Sequence, residues 1–222
     1  MTRTVIFDLD GTLADTSGDL IAAANMALSE MGFAPQLNRG QDDATAFRGG
    51  RAMLRLAAER MALAEAEAMI ERGYPLLLDA YGRDIDRHTS LYPGAMAAVG
   101  RLRAAGVAVG ICTNKPEGLA IQLLDRLGIS DQFASLIGAD TLPTRKPDAA
   151  PYRAAVDAAG GALERSFLVG DTETDRKTAR AAGVPCALVT FGPTGRAVAE
   201  LEPEALVDHF DAFDTVVAQL LP

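Results

Sequence analysis

Val5-Ile6-Phe7-Asp8-Leu9-Asp10-Gly11-Thr12-Leu13 is an apolar run that stops at two carboxylates two residues apart, with Gly-Thr close behind. A strand this apolar is expected to be buried on both faces, as strands of a parallel sheet are. Asp8 and Asp10 then fall where the strand runs out, at the carboxyl edge where open α/β sheets hold their ligands. On an ideal strand, residues two apart share a face about 6–7 Å from each other. That spacing lets one carboxylate attack a group while the other serves it with a proton, and lets both approach one cation. Such a pair at a low-dielectric edge repels itself unless a metal or a basic residue lies close by, so those partners are expected further along. Asp-x-Asp-Gly also suits a turn or a helix start, but the apolar lead-in and Thr12-Leu13 favour the chemical reading.

The 222 residues are 49% hydrophobic and 23% charged, as in a soluble globular protein of one or two domains with a sizeable core. No apolar stretch is long enough to span a bilayer. Arg3 precedes the first strand with no signal-peptide h-region, so a cytoplasmic location is expected. The formal charge is −9, which disfavours nucleic acid or an anionic membrane as a partner. An anionic substrate would then need locally arranged cations. Cys112 and Cys186 lie in separate apolar runs and read as small buried hydrophobes, not a disulfide. His88 and His209 stand alone, without zinc spacing.

After the opening motif the pattern turns helical. Leu20, Ile21, Ala24, Leu28 and Met31 follow helical spacing up to Gly32, and Met53, Leu54, Ala57, Ala58 and Met61 form a second stripe. Ala66, Met69 and Ile70, then Leu76 to Leu78, suggest a third and a fourth helix. From Pro93 onward helices alternate with strands. Pro93 to Ala105 reads as a helix, Val107 to Thr113 as a strand, then a helix from Pro116 to Gly128 and a short strand at Leu136-Ile137. A helix from Asp148 ends at Gly160, a strand covers Phe167 to Gly170, and Glu173 to Ala182 is helical. Cys186 to Thr190 and Ala205 to Val207 read as the last strands before a helix from Phe213 to Leu220. This alternation predicts an α/β fold, a doubly wound parallel sheet with right-handed crossovers. The helical block is an insertion, giving a core of residues 1–14 and 90–222 and an inserted unit of residues 15–89.

Three later segments put polar residues just past strand ends, where they can meet Asp8. Thr113-Asn114 offers a hydroxyl and an amide ahead of a helix N-terminus, good donors to an anion or simply a helix cap. Lys146, fixed before Pro147 and a helix, is placed to neutralise charge on a phosphoryl group or a nucleophile, unless it is a solvated surface lysine. Gly170-Asp171 ends another strand, with Asp175 near the next helix start. These carboxylates either complement a helix dipole or, beside Asp8, provide oxygen ligands suited to Mg²⁺.

In this order the motifs resemble the haloacid dehalogenase superfamily. Asp8-Leu9-Asp10-Gly11-Thr12 is similar to its first motif, Thr113 to its second, Lys146 to its third, and Gly170-Asp171 with Asp175 to its fourth. The inserted helices resemble the helical cap of that superfamily. The resemblance implies that Asp8 is the nucleophile and forms an aspartyl-phosphate, and that Asp10 protonates the leaving oxygen and later activates water. It implies that Thr113 and Asn114 hold phosphoryl oxygens, Lys146 stabilises their charge, and Thr12 belongs to the substrate contacts. It further implies that Asp8, Asp171 and the backbone carbonyl of Asp10 bind Mg²⁺, with Asp175 supporting the site.

Within the superfamily the chain looks most like the bacterial phosphoglycolate phosphatases, from the opening Asp8 to Leu20 and from Phe47-Arg48-Gly49-Gly50-Arg51 before an apolar helix. The implied activity is Mg²⁺-dependent hydrolysis of a small phosphomonoester, 2-phosphoglycolate first, with Arg48 and Arg51 as candidates for the substrate carboxylate. Another sugar or acid phosphate, a phosphosugar mutase, and a non-catalytic binding module on the same fold are the alternatives. A phosphonate hydrolase would need a cap lysine, and residues 15 to 81 contain none.

Overall fold

The computed structural model describes residues 2–221. The strands, in chain order, are β1 (Thr4–Phe7), β2 (Ala14–Asp15), β3 (Ser90–Leu91), β4 (Ala108–Cys112), β5 (Ser135–Ile137), β6 (Ser166–Gly170), β7 (Cys186–Val189) and β8 (Ala205–Val207). The helices are α1 (Ser17–Glu30), α2 (Asp43–Ala46), α3 (Gly50–Arg60), α4 (Ala66–Arg83), α5 (Ala95–Ala104), α6 (Glu117–Arg126), α7 (Ala149–Ala158), α8 (Glu173–Ala182) and α9 (Phe213–Leu220). The chain divides into two compact units: one comprises the chain up to Asp15 and from Leu91 onward, the other Thr16–Ser90.

In the first unit six strands form one parallel sheet in the order β5-β4-β1-β6-β7-β8. The chain runs outward from β1 through β4 to β5, then returns to the other side of β1 and continues through β6 to β8. That reversal flanks β1, and open sheets bind ligands at such a switch. Both faces of β1 are covered. Ile6 joins a cluster with Cys112, Tyr152, Val156, Leu168 and Leu188, on the face of α7 and α8. Phe7 points the other way, with ring centroids 6.4 Å from Phe210 and 5.6 Å from Phe213. Each such burial stabilises by roughly 1.5–3 kcal/mol, so the strand that carries Asp8 is held from both sides.

The second unit packs α1 and α3 against α4. Two helices were expected between Ala66 and Leu78; the structure has one, α4, with Pro75 inside it. Proline removes a single helical hydrogen bond and costs about 3 kcal/mol. The stripe Met69, Ile70, Gly73, Leu77, Ala80 and Tyr81 stays buried across it, and that burial outweighs the break. A Cβ at Gly73 would stand 2.7 Å from Met31 Cε, the end of a flexible side chain that would have to shift. Arg60 clamps the buried Asp42 through 2.7 and 2.8 Å contacts and, chiefly by that hydrogen bonding, lowers the pKa of Asp42. Asp19 accepts from the His88 N–H at 2.9 Å and the Thr89 hydroxyl at 2.7 Å, tying the start of α1 to the returning segment. Among the described residues no helix is long and apolar enough to cross a membrane.

Candidate active site

Strand register assembles the site. Phe7 is paired with Ile111 on one side and Val169 on the other. Asp8 adds one more rung, its N–H donating to Val169 O at 2.8 Å, and Thr113 does the same toward Ile137 O at 2.9 Å. Asp8, Thr113 and Asp171 thus leave three adjacent strands at one edge, and the backbone brings carboxylate oxygens of Asp8 and Asp171 within 4.8 Å of each other. Beyond Asp8 the chain folds into a tight turn, with the Leu13 N–H donating to Leu9 O at 3.0 Å and the Gly11 N–H to Ala14 O at 2.9 Å. Gly11 has φ +80°, and a Cβ at that position would collide with the Asp171 carboxylate. Glycine is required there for both reasons.

Lys146 organises the acidic cluster. Its buried Nζ lies 3.0 Å from Asp8 Oδ2 and 2.6 Å from Asp175 Oδ1, so it is no solvated surface lysine. Asp8 Oδ1 accepts from the Leu9 N–H at 2.7 Å. The other oxygen of Asp175 accepts from the Thr172 N–H at 3.1 Å and the Thr172 hydroxyl at 2.6 Å, closing a capping box at the start of α8. Asp175 is therefore both a helix cap and a lysine anchor. Thr12, expected among the substrate contacts, is fully buried and donates its hydroxyl to Asp171 Oδ1 at 3.0 Å. Thr113 is buried, with its Oγ1 accepting from the Lys115 N–H at 3.2 Å. Asn114 is exposed and donates through Nδ2 to the Lys146 carbonyl at 3.0 Å.

Electrostatics follow from this burial. Removal from water raises the Asp8 pKa to about 6, with Asp175 and Asp10 pushing the same way and Lys146 opposing. Asp171 is driven well above the ordinary carboxylate value by burial first, then by Asp175 and Asp8. Burial alone would pull Lys146 down, but the carboxylates of Asp175 and Asp8 more than reverse this and hold it charged. Of the groups in this cluster, four carboxylates (Asp8, Asp10, Asp171, Asp175) face two ammonium groups (Lys115, Lys146). Carboxylates outnumber ammonium groups, so the cluster favours a cation that would offset their repulsion. One oxygen each from Asp8, Asp171 and Asp175 lie within 4.8 Å of one another, a hard-oxygen set of the kind Mg²⁺ takes. The donor set and the charge both fit that ion.

Sequence reasoning passed over Lys115. Its Nζ lies 2.7 and 3.0 Å from the two oxygens of Asp10. The signal was available: Lys115 follows Thr113 by two, and the acidic pair called for basic partners. In the helical unit, Arg51 is bound to Glu71 and stacked 4.6 Å over the Tyr74 ring. Arg48 is exposed at the turn before α3, and its guanidinium has no hydrogen bond or ion pair among the described residues.

Residues 5–189 match the family model described as haloacid dehalogenase-like hydrolase. A phosphoglycolate phosphatase of Mesorhizobium japonicum is 40% identical, covering 98% of this chain and 95% of that protein. One of Agrobacterium fabrum is 37% identical, covering 97% and 92%. The crystal structure of a predicted phosphoglycolate phosphatase from Haemophilus somnus 129pt superposes with a TM-score of 0.80 at 24% identity, covering 97% of each chain. At that identity the last likeness bears on the fold.

Proposed function

We propose, from the premise that this chain belongs to the haloacid dehalogenase-like hydrolase family, that it is a Mg²⁺-dependent phosphatase of a small phosphomonoester, 2-phosphoglycolate first, working through an aspartyl-phosphate. The observation that carries this reading is the division of labour at the sheet edge: Asp8 is held by Lys146, while Asp10 is held separately by Lys115. The names of the 37–40% identical relatives support the substrate.

Asp8 attacks phosphorus, and the ester P–O bond breaks as Asp10 gives a proton to the departing oxygen. A water then loses its proton to Asp10 and attacks the acyl phosphate, releasing inorganic phosphate and restoring Asp8. Splitting one displacement into two lowers the barrier to each. Lys146 offsets the charge of the transferring group, and Thr113 and the second amide N–H of Asn114 orient its oxygens. Asp8, Asp171 and the backbone carbonyl of Asp10 would hold Mg²⁺, with Asp175 supporting them through Lys146 and α8. The bound ion supplies positive charge against the repulsion between a carboxylate and a dianionic phosphate. Phosphate release from 2-phosphoglycolate, with Mg²⁺ and then with EDTA, tests the reading. No release with the metal present would overturn the substrate, and equal release with EDTA would overturn the metal requirement.

Metal and protons should compete. Asp8, with a pKa raised to about 6, and Asp171, also raised, hold protons in the folded protein that the unfolded chain releases at lower pH. Their unfavourable contribution is absent below the unfolded value near 3.8, and is complete above about 6 for Asp8. Mg²⁺ should therefore raise Tm clearly at pH 7.5 and little at pH 5, as read by melts against EDTA. The same increment at both pH values would contradict the ligand set.

Arg48 is the candidate for recognising the substrate carboxylate, because its guanidinium is uncommitted. Arg48→Ala should lower kcat/KM on phosphoglycolate by about 1.5–3 kcal/mol in transition-state binding and spare a neutral phosphomonoester. Arg51→Ala should do less, since Glu71 and Tyr74 already occupy that side chain. Equal losses on both substrates would remove Arg48 from substrate recognition.

A further inference from the structure

Asp10 sits in the turn after β1 with its side chain 17% accessible, whereas the Lys115 side chain that holds both its oxygens is 3% accessible. Lys115 is the fixed member of the pair. Its N–H donates to Thr113 Oγ1 at 3.2 Å, its carbonyl accepts from the Ala139 N–H at 2.9 Å, and Pro116 follows it as the cap of α6. The backbone on which Lys115 stands is thus part of the same strand end that presents Thr113. A carboxylate held by one oxygen can still swing about its own bonds. One held at 2.7 and 3.0 Å through both oxygens has its direction set, because any swing away from Lys115 lengthens one contact or both. Lys146, meanwhile, serves Asp8 and Asp175, so the cation that aims Asp10 differs from the one that holds the nucleophile.

We propose that Lys115 is a positioning residue: it aims the Asp10 carboxyl group at the oxygen that leaves in the first step and at the water that attacks in the second. This rests on the reading of Asp10 as the group that gives and then takes the proton. Lys115 touches neither reacting atom in this assignment; it acts through Asp10.

A double-mutant cycle tests it. Asp10→Asn, Lys115→Met and the double variant are assayed on 2-phosphoglycolate, whose alkoxide leaves poorly, and on p-nitrophenyl phosphate, whose phenoxide leaves well. Asp10→Asn should lower kcat on the alkyl ester by roughly 10²–10⁴-fold and less on the aryl ester. Lys115→Met should show the same leaving-group bias at roughly 10- to 100-fold, with KM little changed. The double variant should be no slower than Asp10→Asn alone, because an aiming residue has nothing left to aim. It also removes both charges together, so it keeps the fold even if Lys115→Met, which strands a carboxylate, proves unstable. Loss from Lys115→Met equal on both esters, or multiplied in full onto Asp10→Asn, would reduce Lys115 to a structural counter-charge. If Asp10→Asn alone lacks the leaving-group bias, the acid–base reading of Asp10 falls and the aiming role with it, a failure visible in the single variant.

Discussion

Asp8→Asn should lower phosphatase turnover by on the order of 10⁴–10⁶-fold, the range spanned by single members of a covalent catalytic group, while the fold survives. An amide in that place keeps the shape and still accepts from the Leu9 N–H, but it carries no charge with which to attack phosphorus. The fold should survive because burial already opposes a charge at Asp8, shifting its pKa to about 6. Lys146 retains Asp175 at 2.6 Å as a partner when Asp8 becomes neutral. At pH 7.5 without metal the variant should melt no lower than the parent. Phosphate release and a thermal melt check both halves. Turnover near the parent rate would remove Asp8 as the nucleophile, and a collapsed melt would mean that the loss of activity says nothing of chemistry.

Lys146→Met should have the opposite signature, with stability and activity lost together. The substitution leaves the length and removes the charge, stranding Asp8 and Asp175 in a buried cluster. Removing one partner of a buried pair typically destabilises by 3–5 kcal/mol. At about 2–4 °C per kcal/mol for a chain of this size, that lowers Tm by roughly 6–20 °C. Mg²⁺ should recover part of the loss, because it supplies positive charge to the same carboxylates, whereas Na⁺ at equal ionic strength should not. A Tm within a degree or two of the parent would show that Lys146 is dispensable to the cluster, and its charge could then not be what holds Asp8 and Asp175 together.

The fold was legible where sequence and burial speak the same language. The apolar strands around Ile6, Ile111, Leu168 and Leu188 are buried on both faces, so hydrophobicity alone marks them. The glycines at 128, 160 and 183 close helices at positive φ, as their place after each stripe implies. The two helices expected between Ala66 and Leu78 are one, because the buried stripe from Met69 to Tyr81 continues across Pro75. The short α2 and the 3₁₀ turn at Gly195–Leu201 carry too few turns to leave a period. At the site, Asp8, Asp10, Thr113, Lys146, Asp171 and Asp175 were legible because each follows a strand end or opens a helix. Where they meet depends on register, and one residue's neighbour can be decided only in three dimensions. Thr12 thus turned inward to Asp171, and Lys115, given no role from the sequence, emerged as the partner of Asp10.

Both neighbours of β1 come late in the chain: β4 begins at Ala108 and β6 at Ser166, beyond the whole of Thr16–Ser90. During synthesis at about 5–20 residues per second, the strand bearing Asp8 therefore waits on the order of ten seconds for both partners. It lacks both partners until β4 is made and one of them until β6 is made, and so presents an open edge, apolar on both faces, of the kind that invites pairing between nascent chains. The helical unit, built from neighbouring helices, can close on itself long before. Expression at low temperature, or with holdase chaperones raised, should favour the soluble product more than any surface substitution would, because the vulnerable state belongs to the ribosome and not to the finished enzyme.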